Sequence, residues 1–204
     1  RGNNSFGELG RIGSGGPQLQ RVEGLPPVLK LAAGRYHTLA LAEDGTIWSW
    51  GADFGGQLGP GDTMQSGGPP VPRGDRAVPL PVIGLTGVRD IAAGFSHSIA
   101  LDQYGAVWAW GENYYGQLGT GDRTGHSSPQ LVPLNSAVSH VAAFPFWTVA
   151  YGGADATVWG KCNPNQLSLS TNSIFTTPQN LPNLAGFASL NGRFLNVLGL
   201  SADG

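Results

Sequence analysis

Cysteine is nearly absent. Cys162 stands alone among 204 residues, so no disulfide can form within the chain. Charge is scarce, at 12% of residues with a net of −2, and no basic run or stripe is present. That removes the electrostatic footprint of a nucleic-acid binder, so no nucleic acid is expected as partner. No apolar run approaches the ~20 residues that span a bilayer as a helix, so no membrane insertion is expected. No segment sustains an apolar period of about 3.6 residues, which argues against helices. Residue 1 is Arg instead of an initiator Met and no signal peptide follows, which reads as a processed, trimmed or partial chain.

What is abundant is glycine and proline, 33 and 15 residues. With so little charge, they fit an exported bacterial or surface protein better than a cytosolic enzyme. Such a level of Gly and Pro can signal disorder. Here the glycines recur at fixed places between apolar strands, so a turn-rich β protein is the better account.

The places recur because the chain repeats itself. Ile91–Asp122 reads IAAGFSHSIALDQYGAVWAWGENYYGQLGTGD, and Leu31–Asp62 reads LAAGRYHTLALAEDGTIWSWGADFGGQLGPGD. A decayed copy, VAAFPFWTVAYGGADATVWGKCNPNQLS, runs from Val141 to Ser168. The chain opens on the tail of another copy and closes, over Phe187–Gly204, on the head of one more. The Trp-Gly ends align at Arg1, Trp50, Trp110 and Trp159, giving two intervals of 49 residues and a middle one of 60. The extra length falls in the Pro- and Gly-rich stretch 61–81, which cannot be a helix or a central strand.

Each unit reads as short strands. Val88–Ala93 is apolar, His97–Leu101 alternates, DQYG turns the chain, and Ala106–Trp110 alternates again. A fourth strand near Gln130–Pro133, and near Val78–Ile83, carries prolines and so belongs at an edge. Four short antiparallel strands about every 50 residues describe a blade of a β-propeller. The organisation is a single repeat domain over 1–204: a partial blade 1–27, a blade 28–87 with the insertion 61–81, a blade 88–137, a degenerate blade 138–183 and a partial blade 184–204.

The same residues resemble the repeat of the regulator of chromosome condensation family. Gly94, His97, Gly105, Trp110, Gly111, Asn113, Gly116, Gln117, Leu118, Gly119 and Asp122 fall on its motif. The third unit departs from it, with Phe144 for the Gly and Trp147 for the His. The resemblance implies an all-β propeller, usually of seven blades; counting about four repeats here leaves an arc of such a propeller, which is the expectation, or a four-bladed ring lacking its closing strand. Missing blades would come from the same or another chain.

Chemistry is thinly signalled. His37 and His97 share one repeat position on different blades, and the expectation is that each imidazole ties down its own blade's turn. His126 and His140 are expected in loops and have no metal-ligand spacing. The GQLGTGD loops lack the phosphate-loop pattern and a following helix, so their glycines serve tight turns, braced by Asp62 and Asp122. The tryptophans at 48, 50, 108, 110 and 159 are expected between sheets. Arg73–Gly74–Asp75 spells a short adhesion motif, and Asn3–Asn4–Ser5 a glycosylation acceptor; both arise readily by chance. No nucleophile–base pair stands out, so no catalytic residue, metal or cofactor is expected and the chain does not read as an enzyme.

The informative positions precede the repeat His: Arg35 and Tyr36, Phe95 and Ser96, Pro145 and Phe146 with Trp147, and Arg193 and Phe194. A turn at one place in every blade puts them on one rim, and Arg with aromatics is the composition of an interaction hot spot. In the family, these turns supply partner contacts. The expected function is a non-enzymatic module or scaffold that binds another protein by that rim. The alternative implied by the resemblance is guanine-nucleotide exchange on a small GTPase, with the 61–81 stretch as a wedge.

Overall fold

A computed structural model of the chain describes residues 3–60, 75–152, 156–162, 173–181, 187–193 and 196–201. No described residue is helical. Three four-stranded antiparallel sheets follow one another. The first holds β1 (Val28–Ala33), β2 (His37–Ala42), β3 (Ile47–Gly51) and β4 (Arg76–Pro81). The second holds β5 (Val88–Ala93), β6 (His97–Asp102), β7 (Val107–Gly111) and β8 (His126–Leu131). The third holds β9 (His140–Ala143), β10 (Trp147–Tyr151), β11 (Thr157–Cys162) and β12 (Ser173–Asn180). A hairpin, β13 (Phe187–Arg193) and β14 (Asn196–Ser201), follows. Each sheet is a blade with its first strand innermost. His126 and His140 open strands and do not lie in loops, because the chain pairs with β7 again as soon as the β7–β8 loop ends and with β10 once it enters the third blade.

The proline-bearing strands lie outermost, as their missing N–H groups require. Pro81 faces Trp48 across the β3–β4 ladder, and the register slips between Ser49 and Gly51. The β2–β3 and β6–β7 turns follow a shared rule. The Asp44 and Asp102 carboxylates accept the backbone N–H of Thr46 and Tyr104, at 3.0 and 2.9 Å, so the side chain closes the turn that the backbone begins.

The core lies between blades. Leu39, Leu41 and Ile47 of the first blade meet Val88, Ile91, Ala100 and Trp110 of the second. Ile99, Leu101 and Val107 meet Val141, Ala150 and Trp159 one joint further on. Phe144, Trp147, Val149 and Tyr151 meet Leu190 at the last. Each such apolar side chain contributes about 1.5–3 kcal/mol by leaving water. The middle strands are therefore buried on both faces, β6 from His97 to Leu101 without a break.

Candidate functional site

The antiparallel order puts the β1–β2, β5–β6 and β9–β10 turns at one end of the blades, with the loops that leave β3 and β7. The β2–β3 and β6–β7 turns lie at the other end. Two layers occupy the first end: a buried polar lock and an exposed aromatic rim.

The lock begins with Asn4, Asp53 and Asn113. Each side-chain Oδ1 accepts the N–H five residues on, of Leu9, Leu58 and Leu118, which folds the loop back on itself. The fold-back aims the Glu8, Gln57 and Gln117 carbonyls at the next blade. The Trp50, Trp110 and Trp159 indoles donate to them at 3.0, 2.9 and 2.9 Å. The Thr38, Ser98 and Thr148 hydroxyls donate to the same oxygens at 3.0, 2.7 and 3.0 Å.

The repeat histidines join this lock. His37 Nε2 lies 3.1 Å from Ser98 Oγ, and His97 Nε2 lies 3.0 Å from Thr148 Oγ1. Each hydroxyl spends its one hydrogen on the loop carbonyl, so it accepts from the imidazole, which is the Nε2–H tautomer. Thus the histidine does not tie down its own turn through its ring; it reaches the following blade. The turn is closed by backbone instead, Gly34 N–H to His37 O and Gly94 N–H to His97 O. Burial pushes the two imidazoles down, to about 4 for His37 and about 3 for His97, the latter lowered further by His37.

The tryptophans divide. Trp50, Trp110 and Trp159 are buried between blades as expected. Trp48 and Trp108 are half-buried and donate to Thr46 and Asp102 of their own blade's turn. Asp122 braces its loop by accepting the Thr124 N–H; Asp62 lies outside the described residues.

Above the lock runs the rim. Phe6, Tyr36 and Phe54 form a triad edge to edge, with ring centroids 5.0 to 6.4 Å apart. Arg35 is exposed, its guanidinium 4.8 Å from the Tyr36 ring and 5.1 Å from that of Phe95. Phe95 meets Phe146 at 5.1 Å, Phe146 meets Tyr115 at 5.0 Å, and Tyr115 meets Tyr114 at 4.9 Å. Lys161 stands 4.8 Å over Tyr115. Ring and cation contacts therefore run unbroken across three blades. Phe54 and Tyr114 are 63% and 66% exposed.

Of the residues expected on this rim, Arg35, Tyr36, Phe95, Ser96 and Phe146 lie there. Trp147 does not. It is buried and stacked 3.9 Å from Phe144, with planes 6° apart, because Phe144 fills the space that Gly94 leaves for an imidazole. Arg193 ends β13, with only its backbone described, and Phe194 lies outside the described residues. The repeat register did not reveal Phe6, Phe54, Tyr114, Tyr115 or Lys161. A signal existed: alternating strand direction brings the loop after the third strand to the same end as the first turn.

Elsewhere, Lys30, Asp90 and His140 occupy one position of successive inner strands. Asp90 accepts from Lys30 Nζ at 2.5 Å and from Val141 N at 3.3 Å, which stitches three blades. They border an open groove of about 740 Å³ along β1, β5 and β9. Among the described residues no group of three His, Cys, Asp or Glu could hold a metal. Arg73 and Gly74 lie outside the described residues, and Asp75 accepts the Asp53 N–H. Asn3 accepts from the Ser5 hydroxyl.

The regulator of chromosome condensation (RCC1) repeat matches residues 44–101 and 104–151, and a second form of that repeat matches 28–57 and 88–117. The ultraviolet-B receptor UVR8 of Arabidopsis thaliana is 28% identical over 98% of this chain and 46% of its own length. The mitochondrial RCC1 domain-containing protein RUG3 of the same plant is 33% identical over 74% of this chain and 33% of its own. The chain thus spans half or less of the length of these relatives. Among solved structures, human WBSCR16 superposes with a TM-score of 0.74 at 23% identity, over 100% of this chain and 54% of its own. Saccharomyces cerevisiae Prp20p, described with its binding to Gsp1p and histones, gives 0.68 at 23% identity, over 88% and 45%. At that identity these two establish the β-propeller fold alone.

Proposed function

The chain belongs to the regulator of chromosome condensation (RCC1) repeat family, and from that premise we propose that it is a non-enzymatic protein-interaction module whose aromatic rim docks a partner protein. The observation that carries the reading is the unbroken file from Phe54 to Lys161. A rigid scaffold presents it on turns and loops, where a repeat protein can vary residues without cost to its core. Tyr and Arg are the residues that anchor interfaces, and here they already hold one another in place before a partner arrives. Prp20p, a protein of this fold described with its binding to Gsp1p and histones, is in keeping with it. Nucleotide exchange on a GTPase has no comparable support in this chain, since the stretch that would act as wedge falls largely at 61–74, outside the described residues.

The test is retention of a partner from an extract of the source cells on the immobilised chain. The triple substitution Tyr36→Ala, Phe95→Ala and Phe146→Ala should lower retention by about tenfold or more. Tyr104→Ala, at an 80% exposed ring on the opposite end, should leave it unchanged. Equal retention by the triple variant, with its melting transition intact, would remove the rim from the reading.

A further inference from the structure

The rim's charges are used unequally. Its carboxylates are each fixed to the fold by a backbone N–H, which holds them in place without cancelling their charge: Asp53 accepts the Leu58 N–H, Asp75 the Asp53 N–H, Glu8 the Phe6 N–H and Asp122 the Thr124 N–H. Glu112 is half-buried where its loop meets Gly55. Two of its cations are not spent. Arg35 and Lys161 are both exposed, and both rest on aromatic faces. Among the described residues neither forms an ion pair; the Lys–carboxylate pair present joins Lys30 to Asp90 on the inner strands. A cation on a ring face is positioned by that face while its N–H donors stay open to an acceptor. A guanidinium in that state is suited to a planar carboxylate.

We propose that the partner seated on this rim presents carboxylates to Arg35 and Lys161, so that the ligand is an acidic segment of another protein with apolar or aromatic side chains beside its acids. This rests on the rim being the docking face. The apolar flanks would meet Phe54 and Phe6 on one side and Phe146 and Tyr114 on the other. Single-stranded nucleic acid also seeks cations among aromatics. The rings here meet at interplanar angles of 62 to 87°, however, which leaves no file of parallel faces for successive bases.

The experiment selects a random displayed peptide library, about 12 residues long, on the folded chain, and measures binding of the selected peptides as synthetic ligands. Asp and Glu should be enriched. Arg35→Gln and Lys161→Gln should each weaken binding about five- to tenfold, and so should Glu→Gln in the peptide. Raising salt from about 50 to about 500 mM should weaken it by a similar factor. An oligothymidylate of about 20 nucleotides should not compete. Enrichment of neutral or basic peptides, or no enrichment, overturns the proposal, as does competition by the oligonucleotide. If binding is lost in the Tyr36/Phe95/Phe146 alanine variant yet indifferent to Arg35→Gln and Lys161→Gln, the rim stands and the acidic chemistry falls. If acidic peptides bind the alanine variant as well as the parent, the rim itself falls.

Discussion

His97 has no solvent exposure, yet its ring ends on a hydroxyl of the next blade. Its other nitrogen, Nδ1, has no hydrogen-bond partner among the described residues, and the same holds for His37. Both atoms are acceptors in the tautomer that Ser98 and Thr148 impose, and an unmet acceptor costs less than an unmet donor would. Protonating either ring would place a bare N⁺–H in the core. The folded state therefore keeps both neutral far below the ordinary imidazole range, down to about 4 and about 3. The unfolded chain protonates near 6.5. Above that pH both states are neutral and stability is flat. Below it the unfolded state binds more protons than the folded one, so stability falls as pH falls, until the folded values are reached. Each histidine adds a slope of up to about 1.4 kcal/mol per pH unit. Denaturant unfolding between pH 6.5 and 5, before most carboxylates titrate, should show this loss, and replacing His37 and His97 by Gln should flatten it. An unchanged slope in the Gln variants would mean that the two rings do not govern it.

At the scale of the strand and its turn, the histidine and the glycine three residues before it form one object. A methyl group on Gly94 would stand 2.0 Å from His97 Cε1 and 2.6 Å from the Phe144 carbonyl oxygen. Gly94→Ala should cost about 1–3 kcal/mol through that overlap, and His97→Ala about 2–4 through the cavity it leaves. Because removing the ring removes the worst clash, the double variant should cost at least about 1 kcal/mol less than the sum, read from a double-mutant cycle in denaturant. Strict additivity would separate the two sites. Phe144 and Trp147 are the chain's own version of this coupling, since both positions change together in the third blade. This explains what the sequence could and could not convey. Strand positions were legible, because AAG, the turn glycine at Gly45 and Gly105 and Trp-Gly recur in register and their chemistry is local. The cross-blade hydrogen bonds were not, because Ser98 lies 61 residues from His37 and only blade stacking brings them together. The rim was half legible. Arg35, Tyr36, Phe95 and Phe146 share a repeat column, whereas Phe6, Phe54, Tyr114 and Tyr115 occupy two adjacent columns of another loop and meet them only in the fold.

Across the whole molecule each blade leans on its predecessor. Stability in such a stack is a sum of unit and neighbour terms. Val88 and Ile91 of the second blade's inner strand are 5% and 0% exposed because the first blade covers them. Their counterparts in the first blade, Val28 and Leu31, are 38% and 62% exposed. Within this 204-residue polypeptide the same apolar position is thus covered in one blade and bare in another. An apolar strand left open in this way associates with whatever apolar surface it meets, including another copy. This 204-residue polypeptide should therefore associate reversibly as its concentration rises through the micromolar range in sedimentation velocity. Leu31→Glu should suppress that association with little change in melting temperature, since the side chain is mostly hydrated already. Ile91→Glu should instead unfold the chain, since a fully buried, unpaired carboxylate has no compensation. If Leu31→Glu proved as destabilising as Ile91→Glu, β1 would have to be packed in solution, and its exposure would no longer mark the surface where copies meet.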